Sequence, residues 1–210
     1  MATESQTIPQ TMRAWIRQQR GPAHRGLRLT TLPTPTPPPH SSQDVLIRVS
    51  HVSLQYTTEA LLKTIPSLPL TGPWIPELEL SGEIVAAGSG VPPEVRDLGT
   101  QVIAFQNIPA VMLGHGVLAE YVLLPGSQVS PIEGIDMASA SGINGSGSTA
   151  LKMIRTVGVR ERHSVLVNGA SGSVGSVLAQ LCKMRGARVV GVASGANEGM
   201  VRGLGVDEVG

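Results

Sequence analysis

The segment Val165-Leu166-Val167-Asn168-Gly169-Ala170-Ser171-Gly172-Ser173-Val174-Gly175 narrows the folds open to this chain more than any other stretch. A short apolar run rich in β-branched residues enters a turn in which Gly169, Gly172 and Gly175 recur at every third position, and an amphipathic stretch follows. This order predicts a buried parallel strand over Ser164 to Val167, a tight turn, and a helix over Val174 to Met184. Val174, Val177, Leu178, Leu181 and Cys182 share one face of a 3.6-residue period, and Gly186 stands where a helix C-cap is expected. A second buried strand is predicted over Arg188 to Ala193.

Ala170-x-Gly172-x-x-Gly175 matches the G-x-G-x-x-G pattern of dinucleotide-binding turns, with alanine in the first place. Small residues are a physical requirement there. The turn is tight, the backbone must approach a pyrophosphate, and the helix that follows must aim its free N–H groups at the phosphates. Asn168, Gly169, Ala170, Ser171, Gly172, Ser173, Val174 and Gly175 are therefore the cofactor-binding candidates. The plainer alternative is a glycine-rich strand-to-helix turn that holds no nucleotide, and the β-α-β context weighs against it. At the end of the second strand an acidic residue would accept the ribose 2′-OH and repel a 2′-phosphate. Ser194 occupies that position, and Val192 to Asn197 contains no acid, so hydroxyl and amide donors point to NADPH over NADH. Arg202 and Arg188 are the nearest cations, and either is equally readable as a solvated surface charge.

Composition removes several function classes. The 210 residues carry a formal net charge of +1, which gives no footprint for nucleic acid or an acidic membrane surface. Cys182 is the single cysteine, so neither an intrachain disulfide nor a Cys-x-x-Cys metal knuckle can form. Its place on the apolar helix face favours packing over chemistry. No run approaches the length of a membrane span, and the N-terminus lacks a secretory h-region; a cytoplasmic protein is the expectation. Arg13, Arg17, Arg20, Arg25 and Arg28 make the start resemble a transit peptide in composition, but Gly21-Pro22 interrupts any helix there. Residues 1–11 read as a disordered tail.

Between the tail and residue 130, β-branched runs at Asp44 to Val52, Glu83 to Ala87, Gln101 to Phe105 and Leu118 to Leu124 alternate with Pro, Gly and Ser clusters, as in a compact β domain. From Asp136 the pattern turns helical through Ala150 to Val157, and the β-α-β unit follows. The predicted organisation is thus 1–11, 12–130 and 131–210.

Several segments together resemble the medium-chain dehydrogenase/reductase superfamily, in particular its zinc-independent quinone oxidoreductase-like and enoyl reductase-like members. Met12-Arg13-Ala14-Trp15 is similar to that family's first strand, which accounts for the arginine-rich start, and Leu32-Pro33-x-Pro35-x-Pro37 to its proline-rich run. Asp44 to Val49, Pro76 to Gly88, Gly116-Val117-Leu118-Ala119-Glu120-Tyr121-Val122 and Gly203 to Val209 resemble later family segments, and Val165 to Gly175 its nucleotide turn. The resemblance implies an α/β fold: a GroES-like β-rich catalytic domain followed by the first part of a Rossmann-type doubly wound domain. It also implies a small-molecule substrate, no nucleic acid and no membrane, and it leaves a homodimer open.

Where the family's alcohol dehydrogenases carry the zinc-binding Gly-His-Glu motif, this chain has Glu77-Leu78-Glu79, and with one cysteine no metal is expected. The resemblance then implies direct NADPH-dependent hydride transfer to an activated C=C bond or a quinone. Ser53-Leu54-Gln55-Tyr56-Thr57 is similar to the family's Ser-Leu-Asn-Tyr-Arg-Asp loop, with Gln55, Thr57 and Thr58 replacing Asn, Arg and Asp. Tyr56 is accordingly the catalytic candidate, as a phenol able to donate to a developing oxyanion, or else a half-buried packing aromatic. Gly147-Ser148-Thr149-Ala150 resembles the family's Gly-Leu-Thr-Ala, making Thr149 a cofactor candidate or else a helix N-terminal hydroxyl. Family members continue for over a hundred residues past the position of Gly210. Two readings follow: a zinc-independent NADPH-dependent reductase, or a truncated, catalytically inactive remnant with at most weak dinucleotide binding.

Overall fold

The computed structural model describes residues 7–65 and 72–210. The chain divides into two compact units, Met1–Ser141 and Gly142–Gly210. Of the expected tail, residues 1–6 lie outside the described part, and Thr11 already opens the first strand.

In the first unit, β1 (Thr11–Arg17) and β2 (Leu27–Pro33) form an antiparallel hairpin, paired from Thr11 with Pro33 to Arg17 with Leu27, around the short helix α1 (Ala23–Gly26). The N-terminal arginines therefore belong to folded structure: Arg13 pairs with Glu120 at 2.6 Å, and Arg17 lies over the Trp74 ring, 5.2 Å from its centroid. Next come β3 (Asp44–Ser53), α2 (Tyr56–Thr64), β4 (Glu79–Ala87), β5 (Gln101–Phe105), α3 (Ile108–Met112), β6 (Tyr121–Pro125), β7 (Val129–Pro131) and α4 (Met137–Ala140). The five strands make one antiparallel sheet in the order β6-β3-β4-β5-β7.

Alternation at period two builds the core of that sheet. Val45 and Ile47 on β3, Leu80 and Ile84 on β4, Val102 and Ala104 on β5, and Val122 and Leu124 on β6 meet in one buried cluster with Val91, Val95, Val117 and Val129. Gly82 stands between Leu80 and Ile84 because nothing larger fits. A Cβ there would lie 2.4 Å from the Arg48 carbonyl oxygen and 2.6 Å from Ile47 Cγ2. β7 pairs with β5 from Val102 to Ala104, and Ser81 Oγ donates to the Met137 carbonyl on α4, so residues 129–141 complete the first unit.

In the second unit, α5 (Ile143–Val157) precedes β8 (Ser164–Asn168), α6 (Ser173–Met184), β9 (Arg188–Val192), α7 (Glu198–Gly203) and β10 (Glu208–Val209). The strands form a parallel sheet in the order β10-β9-β8. Gly158, at φ 68°, closes α5 in the left-handed conformation, and Gly186, at φ 74°, follows the Arg185 C-cap of α6. Ile154, Val159, Val167, Ala170, Ala179, Cys182, Ala187, Val189 and Val201 form the core.

Two expectations change here. β8 is the outermost strand of the described sheet and is covered on one face only: Val167 is buried, whereas Leu166, on the opposite face, is 67% exposed. The buried line of α6 runs through Ala179 and Cys182, with Val174 and Val177 at its margin. Small side chains sit where α6 approaches the sheet closely.

Gly82→Ala is expected to destabilise the first unit by about 1–3 kcal/mol, since the clash is with backbone of the paired strand rather than a flexible side-chain tip. Urea unfolding measures this, and an unchanged midpoint would show that β3 can yield.

Candidate functional site

The glycine-rich turn of the second unit is tied to its sheet by its own backbone. Gly169 and Ala170 N–H both donate to the Val192 carbonyl, at 3.0 and 2.9 Å, and Gly172 N–H donates to Gly169 at 2.9 Å. Gly169 has φ 75°, a conformation that favours glycine. At Gly175 a Cβ would stand 2.1 Å from the Gly169 carbonyl oxygen, so this glycine lets the first turn of α6 close over the strand end. Gly172 differs, because the nearest atom to its would-be Cβ is the Gly169 oxygen at 3.3 Å. Gly175 is therefore required by the turn itself, whereas Gly172 mainly keeps its outer surface free of a side chain.

Gly172 is the N-cap of α6, and no side chain caps that end. Helix geometry leaves the first N–H groups without intrahelical acceptors, so those of Ser173, Val174 and Gly175 suit an anion, with the positive end of the helix dipole behind them. Asn168 and Gly172 are exposed, Ser171 is half-buried, and Ala170 is buried under the turn. Backbone donors at the start of α6, beside the exposed Gly172, suit a dinucleotide pyrophosphate.

Beside this turn, the Asn197 amide donates to Ser194 Oγ at 3.1 Å and to Ser171 Oγ at 3.4 Å. Three neutral polar groups from the glycine turn and the β9 end are thus gathered at one place. Both cations weighed from the sequence are otherwise engaged: Arg202 pairs with Glu198 at 2.7 Å one turn earlier on α7, and Arg188 pairs with Glu208. Thr149 falls in the middle of α5 rather than at its start. It is exposed and lines an apolar hollow of about 700 Å³ with Met153, Val157, Leu166 and Leu178.

In the first unit, Tyr56 is the first residue of α2 and is 86% exposed, so it is not a packing aromatic. Its neighbours are tightly held. Glu77 Oε2 accepts the Gln55 backbone N–H at 3.2 Å and the Thr58 hydroxyl at 2.9 Å, and the Gln55 side-chain amide donates to Glu79 Oε1. At the other end of α2, the Arg17 guanidinium donates to the carbonyls of Leu62 (3.2 Å) and Ile65. Acids at the N-terminus and a cation at the C-terminus complement the helix dipole.

Glu77, Glu79 and Thr58 are all buried. Desolvation is the main effect on Glu77 and raises its pKa from an ordinary 4.5 to about 7; the hydrogen bonds from Thr58 and Gln55 oppose that rise, and the nearby charge of Glu79 adds to it. Glu77 also has φ 70°, in the left-handed region. The sequence reading treated this tripeptide only as a lost zinc motif and missed its packing role. The available signal was a glutamate aligned with a glycine. Leu78, at the histidine position, is core, and among the described residues no three His, Cys, Asp or Glu side chains gather as a metal site.

The chain is similar to known proteins along most of its length. Residues 41–134 match the alcohol dehydrogenase GroES-like domain family. The chain is 40% identical to the medium chain reductase pydE of an Acremonium species, over 94% of this chain, and 28% identical to the trans-enoyl reductase poxH of Penicillium oxalicum, over 95% of it. It spans 60% of the length of each relative. The quinone oxidoreductase structure from Coxiella burnetii superposes with a TM-score of 0.80 at 26% identity, covering 95% of this chain and 62% of that one.

Glu77 makes stability depend on pH. An acid whose folded pKa lies above its unfolded value holds its proton more tightly when folded, so its contribution is full below about 4.5 and is lost as pH rises through about 7. Between pH 4.5 and 8 the wild-type chain should lose about 3 kcal/mol relative to Glu77→Gln. Denaturant titration at several pH values checks this, and parallel profiles would show that folding leaves the Glu77 pKa at its ordinary value.

Proposed function

Because the chain belongs to the medium-chain dehydrogenase/reductase superfamily as a quinone and enoyl reductase-like member, we propose that it is a zinc-independent, NADPH-dependent oxidoreductase acting on an activated C=C bond or a quinone. The observation that carries this reading is the α6 turn, with its uncapped N–H groups, the open surface at Gly172 and the Ser171–Ser194–Asn197 cluster. Asn168 to Gly175 would hold the pyrophosphate. Ser194 and Asn197 would donate to a 2′-phosphate without like-charge repulsion. Thr149 remains a proposed cofactor contact.

When bound, the reduced nicotinamide supplies hydride. For an enone, hydride adds to the β-carbon, the C=C electron pair moves toward the carbonyl oxygen, and the α-carbon takes a proton. Tyr56 is proposed to stabilise the oxygen that gains charge by holding a proton at Oη. The enzyme would work without metal, since Leu78 replaces the ligating histidine. A cytoplasmic location and a homodimer belong to the same proposal. No described helix is long and apolar enough to cross a membrane.

The engagement of both neighbouring cations, Arg202 with Glu198 and Arg188 with Glu208, favours a second reading, a catalytically inactive chain with at most weak dinucleotide binding. Thermal melting with NADPH and with NADH separates the two. At a hundredfold excess over Kd, a ligand specific to the folded state adds about 2.7 kcal/mol, or a shift of about 5–10 °C. A rise with NADPH alone supports the reductase, and no shift with either cofactor supports the inactive chain.

Gly172→Val should abolish the NADPH shift with little change in the unliganded melting temperature, because its side chain would occupy the surface the pyrophosphate approaches. Retained binding would remove this turn from the site. Tyr56→Phe should lower turnover with an enone about 10²-fold or more while leaving cofactor affinity unchanged. An unaltered rate would end the catalytic assignment.

A further inference from the structure

We infer that Glu77 is a positioning residue: reaching across from the segment before β4, its carboxylate caps the first turn of α2 and holds the backbone that carries Tyr56. This rests on the reading of Tyr56 as the hydrogen-bond donor of the site.

Gln55 is the N-cap of α2, and its side chain makes no capping bond. In a capping box, the third helical residue reaches back to the N-cap N–H. Here that residue is Thr58, which is too short for the task. Its hydroxyl donates instead to Glu77 Oε2, and the same oxygen accepts the Gln55 N–H. The carboxylate half of a capping box is thus supplied from 22 positions along the chain. The free Gln55 side chain turns to Glu79, so one residue is fastened to two carboxylates. Tyr56 and Thr57 lie between the two fastened residues. The Tyr56 ring is exposed while the backbone on either side of it is anchored.

Two unfavourable features coincide at Glu77. It adopts φ 70°, where glycine is preferred, and it buries a carboxyl group to 5% exposure beside a second acid. A glycine would avoid both. Strain concentrated in a residue whose carboxylate accepts hydrogen bonds from Gln55 and Thr58, on either side of Tyr56, marks a positional role rather than simple filling.

The test is hydrogen–deuterium exchange on the full chain for wild type, Glu77→Gly and Glu77→Gln. Glu77→Gly keeps the backbone turn, which suits glycine, and deletes the carboxylate. It should leave the melting temperature at or above wild type while the amides of residues 55–59 exchange about tenfold faster. Glu77→Gln keeps an acceptor oxygen and should retain near wild-type protection. Unchanged exchange at 55–59 in Glu77→Gly would overturn the inference, as would acceleration spread evenly over β3, β4 and β5. Enone turnover distinguishes the two claims. A fall in kcat in Glu77→Gly with unchanged NADPH affinity supports positioning of an active Tyr56. Faster exchange together with a silent Tyr56→Phe would refute the role of Tyr56 in catalysis, and with it the positioning function of the clamp.

Discussion

The pairing of β3 with β4 is the constraint from which the first unit follows. Its register places Val45 and Ile47 beside the β4 residues that complete the core, and it ends with Ser53 opposite Glu79. In an antiparallel ladder the chain leaving one strand runs beside the chain entering the other. Two residues past Ser53 is Gln55, and two before Glu79 is Glu77. Their hydrogen bond continues the ladder by means of a side chain. The strand pairing that buries the core therefore also fixes the start of α2. Shifts at Leu46/Ile47 and Val49/His51 absorb extra residues before that end is reached. Gly82 lets the two backbones approach closely in between.

Much of this architecture was legible from pattern alone. β5 spans the residues of its β-branched run, and β3 and β9 end within a residue of theirs, because strong alternation and Pro or Gly boundaries leave few registers open. The glycine turn was legible because close backbone approach permits few residue types. The environment of β8 was not. Val165-Leu166-Val167 reads the same in a sheet covered on both faces or on one only, since an apolar run reports the burial a strand suits and not which neighbours are present. The plainer alternatives for Thr149, a helix N-terminal hydroxyl, and for Tyr56, a half-buried packing aromatic, fail for a related reason. Helix position depends on where the previous segment ends, and exposure depends on tertiary neighbours.

Glu77 shows a different limit. Sequence analysis weighed Glu77-Leu78-Glu79 by the histidine it lacks, but its structural content lies in the glycine it replaces. A left-handed conformation at a residue with a Cβ costs about 1–3 kcal/mol, and a buried carboxyl adds a desolvation penalty. Neither can be seen without φ and burial. Seen together, they run against local preference at the one place where the chain fastens the Tyr56 turn. Such conflicts between local preference and global fold are concentrated at functional sites.

The two units differ in how their polar groups are satisfied. In the first, buried acids are matched to the donors of α2, and Arg17 to its carbonyls, so that helix is closed at both ends by its own protein. In the second, α6 begins with N–H groups that no side chain caps, behind a turn whose glycines exclude Cβ atoms. A helix end left uncapped while nearby polar side chains bond to one another retains donors for an anion from outside. That difference is why anion binding is proposed for the second unit and substrate positioning for the first.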